Sequence, residues 1–422
     1  MLRYRLRAFV VVLVAAGSAS AFAQAPPDPS DVFFDDSVIH EIRLNINSRD
    51  WESLKIHYLD NDYYTCDFRW RDQVARNIAI RSRGTGSRSG IKPGLRVDFD
   101  RNVTGQKFLG LKSVILRNDT QDPSTMRERI SMLFFRRMGL PASRGAHTRL
   151  FVNNAYVGLY TIVESVDKTF LKKTFNENDG WLYKYDYNTD DTPYYLEYRG
   201  SNANLYVPHP FKPETRENEP PSQPIADMIR IINQDSDAIF RTTIARYLDL
   251  VKFIKHIAVE MFLGDNDGFN GNYGTNNFYF YRFENKNVFT FIAWDKSNAF
   301  MDGPKYPIWH NIYDVPEPNR NRLTIRVLGY DDLKNLFMDT LLDCATSLSE
   351  LDPEAPDDTR GWMEREIQKE YDQIKDSAAV AEEDLQYYSK AQFEQEVENL
   401  RTFARQRSDF VRSEVAKTRG QQ

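Results

Sequence analysis

Between Gly264 and Met301 the chain reads GDNDGFNGNYGTNNFYFYRFENKNVFTFIAWDKSNAFM, and no other stretch restricts the fold as tightly. A polar loop carrying Asp265, Asp267, Asn270, Asn272, Asn276 and Asn277 runs into two aromatic, β-branched segments, Phe278–Phe283 and Val288–Trp294. Glu284 to Asn287 supply the turn between them, so the pair reads as a hairpin. The open ends of a hairpin lie side by side. Asp267 and Asp295, distant in sequence, are therefore expected to meet at one strand end. Two carboxylates and several amides in that position suit a hard divalent cation, which takes oxygen ligands. Clusters of Asx and Gly also build ordinary turns, and without the hairpin the loop would read that way.

Residues 1–23 read as a secretory leader, with Arg3, Arg5 and Arg7, an apolar run from Phe9 to Ala16, and Ala21 to Ala23 as the cleavage site. That run is too short to span a membrane, and no later segment approaches spanning length. No Cys adjoins the cleavage point, so an exported chain with no transmembrane or lipid anchor is expected. Loss of the leader takes the formal net charge from -6 to -9, which argues against nucleic acid as the main partner. The roughly 400 remaining residues exceed the usual size of one core, so two lobes are expected. Cys66 and Cys344 are too sparse for a disulfide scaffold, and a bridge between them is not expected.

After a linker at 24–37, residues 38–224 carry alternating strand-like runs: Ile42 to Ile46, Tyr64 to Trp70, Ala75 to Arg81, Leu95 to Asp100 and Phe108 to Asn118. A helix with apolar Met126, Ile130, Leu133 and Phe134 on one face follows, then a hairpin across Asn153 and Asn154 that exits at Glu164. Between two strands lies a basic, Gly-rich loop, RSRGTGSRSGIK (81–92). Arg83, Arg88 and Lys92 with the loop's N–H groups could capture phosphate; a mobile hairpin tip is the alternative, because the G-x-x-x-x-G-K-[ST] pattern is absent. Tyr185 to Pro224 is Pro-rich and irregular, as a lid or insertion would be. Residues 225–422 are mainly helical apart from the central stretch. Histidines are scattered, and His256 within an apolar helical run reads as a core residue. The absence of H-e-x-x-H, C-x-x-C and G-x-S-x-G patterns disfavours a zinc hydrolase or an α/β-hydrolase.

Asp267 and Asn272 also stand at the D-x-x-x-x-N spacing of a kinase catalytic loop. Four blocks extend that pattern in order. The 81–92 loop leads to the strand at Leu95, and NDTQD (118–122) opens a helix that closes on MGLP (138–141). VNNAYVGLY (152–160) leads through Glu164 to LYK (182–184), and GDND (264–267) precedes NN (276–277) and Trp294-Asp295. On these residues the chain resembles the CotH (spore coat protein H) kinase family.

The resemblance implies an α+β, two-lobed atypical protein-kinase-like fold with a β-rich N-terminal lobe and a helical C-terminal lobe. It also implies ATP, Mg²⁺ or Mn²⁺, and phosphoryl transfer to Ser or Thr of an envelope, coat or extracellular protein. Asp267 would be the catalytic acid and Asp295 the metal-binding acid, with Lys184 and Glu164 facing the nucleotide. Either Asn272 or Asn277 would add a metal-binding amide. The family usually reads Trp-Asp-x-Asp, whereas Ser297 stands here in place of the second acid. A catalytically weak relative that binds envelope or matrix proteins is thus one alternative, and a phosphoester hydrolase using the same acids is another.

Overall fold

The computed structural model describes residues 28–186, 193–220, 222–313, 321–379 and 388–420. The expected leader and the first residues of the linker lie outside them. The protein is a mixed α+β structure with a β-rich N-terminal part and a helical C-terminal part.

Seven strands build the first part: β1 (His40–Ile46), β2 (Tyr64–Trp70), β3 (Gln73–Ser82), β4 (Leu95–Asp98), β5 (Ser113–Arg117), β6 (Gly145–Val152) and β7 (Ala155–Glu164). They close into a barrel in the order β1-β2-β3-β4-β5-β7-β6, with β6 parallel to β1 and every other pair antiparallel. The alternation of Ile42, Leu44 and Ile46 turns these side chains inward onto Phe68, Trp70, Ile80 and Val97. Asn153 and Asn154 make the β6–β7 turn at φ 49 and 67, the left-handed pair that a tight hairpin demands and that Asn tolerates. Asn153 also anchors β1, because its Oδ1 accepts from Ile46 N at 2.9 Å. Three helices flank the barrel: α1 (Ser48–Ile56), α2 (Arg127–Arg137) and α3 (Lys168–Phe175). Asn47 and Asp167 cap the first and third as N-cap residues do.

A second sheet has the order β11-β10-β8-β9, from β8 (Trp181–Tyr185), β9 (Phe211–Pro213), β10 (Phe278–Arg282) and β11 (Phe289–Ala293). Its strands come from both sides of residue 224, so the expected boundary there falls within a shared sheet. Every residue of β10 and β11 is buried, because the hairpin is covered on both faces. Phe278, Phe280, Phe289 and Phe291 enter the large helical core, while Tyr279, Tyr281, Ile292 and Trp294 enter a smaller one against α3. Main-chain bridges from Ala142 and Leu248 cover the β11 edge. Packed around the sheet are α4 (Gln223–Gln234), α5 (Asp237–Ile244), α6 (Leu250–Leu263), α7 (Arg322–Leu328), α8 (Asp331–Leu348), α9 (Trp362–Ala379) and α10 (Lys390–Gly420).

The Pro-rich stretch is tied into this body. β9 pairs with β8, and Tyr194 O accepts from Thr275 N at 2.9 Å. Cys66 and Cys344 are buried in separate cores. Among the described residues no helix is long and apolar enough to cross a membrane.

Candidate active site

Helix α6 ends at Gly264, whose φ of 63 lets the chain turn sharply into the polar loop. Arg407 of α10 donates to the main-chain oxygens of Met261, Phe262, Pro304 and Tyr306. A cation on the last carbonyls of a helix also meets the negative end of its dipole. The hairpin then returns the chain. Phe278 pairs with Ala293, and Trp294 N donates to Asn277 O at 3.3 Å, which joins the two loops at their roots.

A buried cation staples the loops from below. Lys296 Nζ lies 2.5 Å from Glu260 and 2.8 Å from Asp265, with no side-chain exposure. His256 adds a 3.2 Å contact to Glu260 and is buried, as a core histidine would be. Above this staple, Asp267 accepts from three amides. Asn276 Nδ2 reaches Oδ1 at 2.8 Å, while Asn277 and Asn298 Nδ2 reach Oδ2 at 2.9 and 3.0 Å. Burial raises the Asp267 carboxyl above its ordinary range, and the nearby charge of Asp295 adds to this against the pull of the amides. Asp295 behaves oppositely. Burial would raise it, but Arg117, whose Nη1 donates to Oδ1 at 2.5 Å, holds it far below the usual carboxylate range.

Asp267 and Asp295 line one cavity of about 790 Å³, together with Asn276, Asn277, Asn298, Lys184, Arg83 and the Gly84–Ser87 loop. The Arg83 guanidinium makes no hydrogen bond or ion pair with any described residue and lies over the Trp294 ring at 5.8 Å. Burial, then the charge of Arg117, brings its guanidinium down to about 10. Lys184 lies on β8, and among the described residues it pairs only with Asp186, at 4.0 Å. Burial, then Arg83, also lowers the Lys184 ammonium. Among the described residues neither cation has a carboxylate closer than 4.0 Å, an arrangement that suits an anion.

Other residues singled out from the sequence lie elsewhere. Glu164, expected to face the nucleotide with Lys184, instead ends β7 beside α2 and α3, where it pairs with Arg144 at 2.5 Å and lines a separate cavity. Arg88 lines the cleft, but its guanidinium is committed to the main-chain oxygens of Gly84, Tyr58, Leu59 and Asp60 and to Asn61 Oδ1. It staples the loop to the segment after α1. Lys92 is buried over the Tyr160 ring at 5.1 Å and is absent from the cleft lining; burial, opposed by Asp119, takes its ammonium down to about 8. Asn272 points away, with Oδ1 held by His310 Nε2 at 2.7 Å and Asn311 Nδ2 at 2.9 Å. Asn277 is the amide at the cavity. Arg117, Glu128, Lys296 and Asn298 carried no local motif, although an Arg ending the apolar strand at 113–117 is a charge that demands a partner.

The oxygen donors fit a magnesium-like cation. Among the described residues no three His, Cys, Asp or Glu are placed to hold a metal ion by themselves, and Mg²⁺ is commonly held by one or two carboxylates plus substrate phosphates. Asp295 and the Asn277 amide oxygen match that demand, with Asp267 beside them on the same cavity.

Residues 80–411 match the family described as CotH kinase protein. The inner spore coat protein H of Bacillus subtilis (strain 168) is 25% identical over 339 residues, covering 79% of this chain and 86% of that protein. Two solved structures are similar at low scores. The Shewanella oneidensis MR-1 toxin–antitoxin complex of HipA, HipB and operator DNA has a TM-score of 0.33 at 10% identity, covering 78% of this chain and 66% of that one. The Helicobacter pylori proinflammatory kinase CtkA has a TM-score of 0.26 at 11% identity, covering 73% and 92%.

Proposed function

We propose, since this chain belongs to the CotH kinase protein family, that it transfers the ATP γ-phosphate to a Ser or Thr hydroxyl of a protein. One observation carries the reading: Arg83 and Lys184, neither with a carboxylate of a described residue closer than 4.0 Å, share a cavity with Asp267 and Asp295. Cations for a polyphosphate thus stand beside acids for a metal and a hydroxyl. The barrel, within 38–224, and the loops of the mainly helical part, within 225–422, face each other across the cleft, as the lobes of a kinase-like fold would.

Arg83 and Lys184 bind the phosphates. The Gly84–Ser87 loop covers them. Gly84 adopts φ 116, and a Cβ there would sit 2.5 Å from Ser87 Oγ, so the bend needs glycine. Arg88 Nε grips Gly84 O, while Asn118 and Thr120 grip Ser87 O. A trans peptide sets the paired N–H groups of Thr85 and Arg88 on the opposite side from those carbonyls. Asp267 accepts the proton of the acceptor hydroxyl, and its raised basicity suits a general base. Mg²⁺ or Mn²⁺, held by Asp295 and Asn277, would supply charge neutralisation at the phosphoryl oxygens.

Residues 1–23 read as a leader, which supports an activity outside the cytoplasm, on envelope, coat or extracellular proteins. Purified chain without the leader, labelled ATP and a metal series test this, read by mass spectrometry. A phosphorylated Ser or Thr supports it. Free phosphate without labelled protein would favour a hydrolase. Ser297 favours a second reading, a weakly active binding protein, because a neutral oxygen stands where the family usually has an acid. Inactivity with every metal, repaired by Ser297→Asp, would establish that reading.

A further inference from the structure

We propose that Arg117 and Glu128 form a positioning pair that fixes Asp295 in the cleft and sets how tightly the site takes a divalent cation. The inference rests on the phosphotransferase reading above.

Three elements converge at this point. Arg117 ends β5, Glu128 lies in the first turn of α2, and Asp295 follows β11. Arg117 Nη1 donates to Asp295 Oδ1 at 2.5 Å, while Nη2 stands 3.4 Å from Glu128 Oε1. Glu128 Oε2 accepts from Lys296 N at 2.6 Å. The pair therefore holds both the side chain of Asp295 and the peptide that follows it. Arg117 is 4% exposed and Glu128 2%, so water does not exchange for either partner. Asp295 adopts φ 49, a left-handed conformation that costs a non-glycine residue energy and persists where its surroundings impose it. The second donor to Asp295, Ser297 Oγ at 3.2 Å, also goes to Oδ1. Oδ2 accepts no hydrogen bond from any described residue. One carboxylate oxygen is thus committed to the protein and the other is left for a ligand.

The charges act in opposite senses. Arg117 competes with any cation for Asp295, and Glu128 offsets Arg117. The Arg117–Glu128 contact is an ion pair without hydrogen-bond geometry, so the guanidinium is engaged more closely by Asp295.

Mn²⁺ binding to the chain at saturating ADP, followed by electron paramagnetic resonance, tests this, with melting temperature as the check on folding. Glu128→Gln keeps an oxygen for Lys296 N but removes the countercharge. Its Mn²⁺ dissociation constant should rise by about threefold or more, as expected for a charge lost a few ångström away. The double variant Arg117→Met/Glu128→Gln removes the competing cation without stranding a buried charge. Its constant should fall by about the same factor, while kcat for phosphoryl transfer drops because Asp295 is no longer held. Arg117→Lys keeps the charge but loses the planar fork, so its constant should stay within about twofold of wild type with kcat reduced.

A merely structural pair would change the melting temperature and leave the constants of the folded variants equal to wild type. That outcome, or shifts of the same sign in the two Glu128 variants, overturns the proposal. If the double variant does not fold, the sign for Glu128→Gln decides alone. A wild-type chain that binds no Mn²⁺ at saturating ADP overturns the phosphotransferase reading, and this inference with it.

Discussion

Asn277 donates from one amide nitrogen to both the main-chain oxygen and Oδ2 of Asp267, at 3.0 and 2.9 Å. Its Oδ1 accepts from no described residue and remains available to a ligand, whereas Asn272 Oδ1 is already shared by His310 and Asn311. Asn277→Ala should therefore weaken metal-supported ATP binding by about tenfold, the scale of one lost interaction with a charged group. Asn272→Ala should leave it unchanged. Calorimetric titration with Mg²⁺ and ATP separates the two, and the reverse ranking would move the metal amide to Asn272.

Burial lowers the Lys184 ammonium, and no carboxylate of a described residue lies closer than 4.0 Å to offset this. Its folded pKa is lowered, so its charged form works against folding and stability is gained as pH rises through that value. Lys184→Met should weaken ATP binding without lowering the melting temperature of the free protein at neutral pH. A large fall in melting temperature would instead make Lys184 a member of a structural ion pair.

Arg88 should show the opposite pattern to Arg83. Losing the Arg88 bonds to Gly84, Tyr58, Leu59, Asp60 and Asn61 frees the loop. Arg88→Gln is expected to cost about 1–3 kcal/mol of stability, the range for hydrogen bonds to a charged group. Arg83→Gln should preserve stability and raise the apparent constant for ATP. Chemical denaturation paired with nucleotide titration distinguishes them.

Asp267 must be ionised to accept a proton, and burial raises its carboxyl above the ordinary 3.8. The acid limb of the kcat/KM profile should consequently lie above that value. For stability the sign is opposite: a raised folded pKa contributes stability at low pH that is lost as pH rises through it. Asp267→Asn should abolish transfer while leaving metal-supported ATP binding largely intact. An unchanged acid limb in a partly active variant would assign the base elsewhere.

Asp295→Asn should abolish metal-dependent transfer, because a neutral amide cannot offset cation charge. Ser297 is 4% exposed beside Asp295, so Ser297→Asp brings a second acid to the same point. The metal concentration for half-maximal transfer should fall. Equal transfer by Asp295→Asn and wild type would remove Asp295 from the metal site.

Local structure was largely legible in the sequence. The central hairpin follows from two aromatic runs and a polar turn, and the caps at Asn47 and Asp167 follow from their side chains. Closure of the barrel was not legible, because the parallel pairing of β1 with β6 joins segments about a hundred residues apart and leaves no local periodicity. Glu164 was misplaced for a related reason. Linear order shows that it ends a strand, but its direction is set by Arg144 and by packing against α2 and α3. Arg88 and Lys92 show a further limit. A cation in a Gly-rich loop looks the same in sequence whether it awaits an anion or already binds main-chain oxygens.

Among the described residues little main chain is left open along either sheet. The barrel has no first or last strand. In the second sheet, Phe289 N donates to Tyr247 O and Ala293 N to Pro141 O along β11, while β9 is three residues long and contains Pro213. Among the described strands the open edge is thus β9, short and proline-bearing, which gives strand addition by a second chain little template. Assembly of this protein, with itself or with a partner, falls to side-chain surfaces, where single substitutions could abolish it without disturbing the cleft.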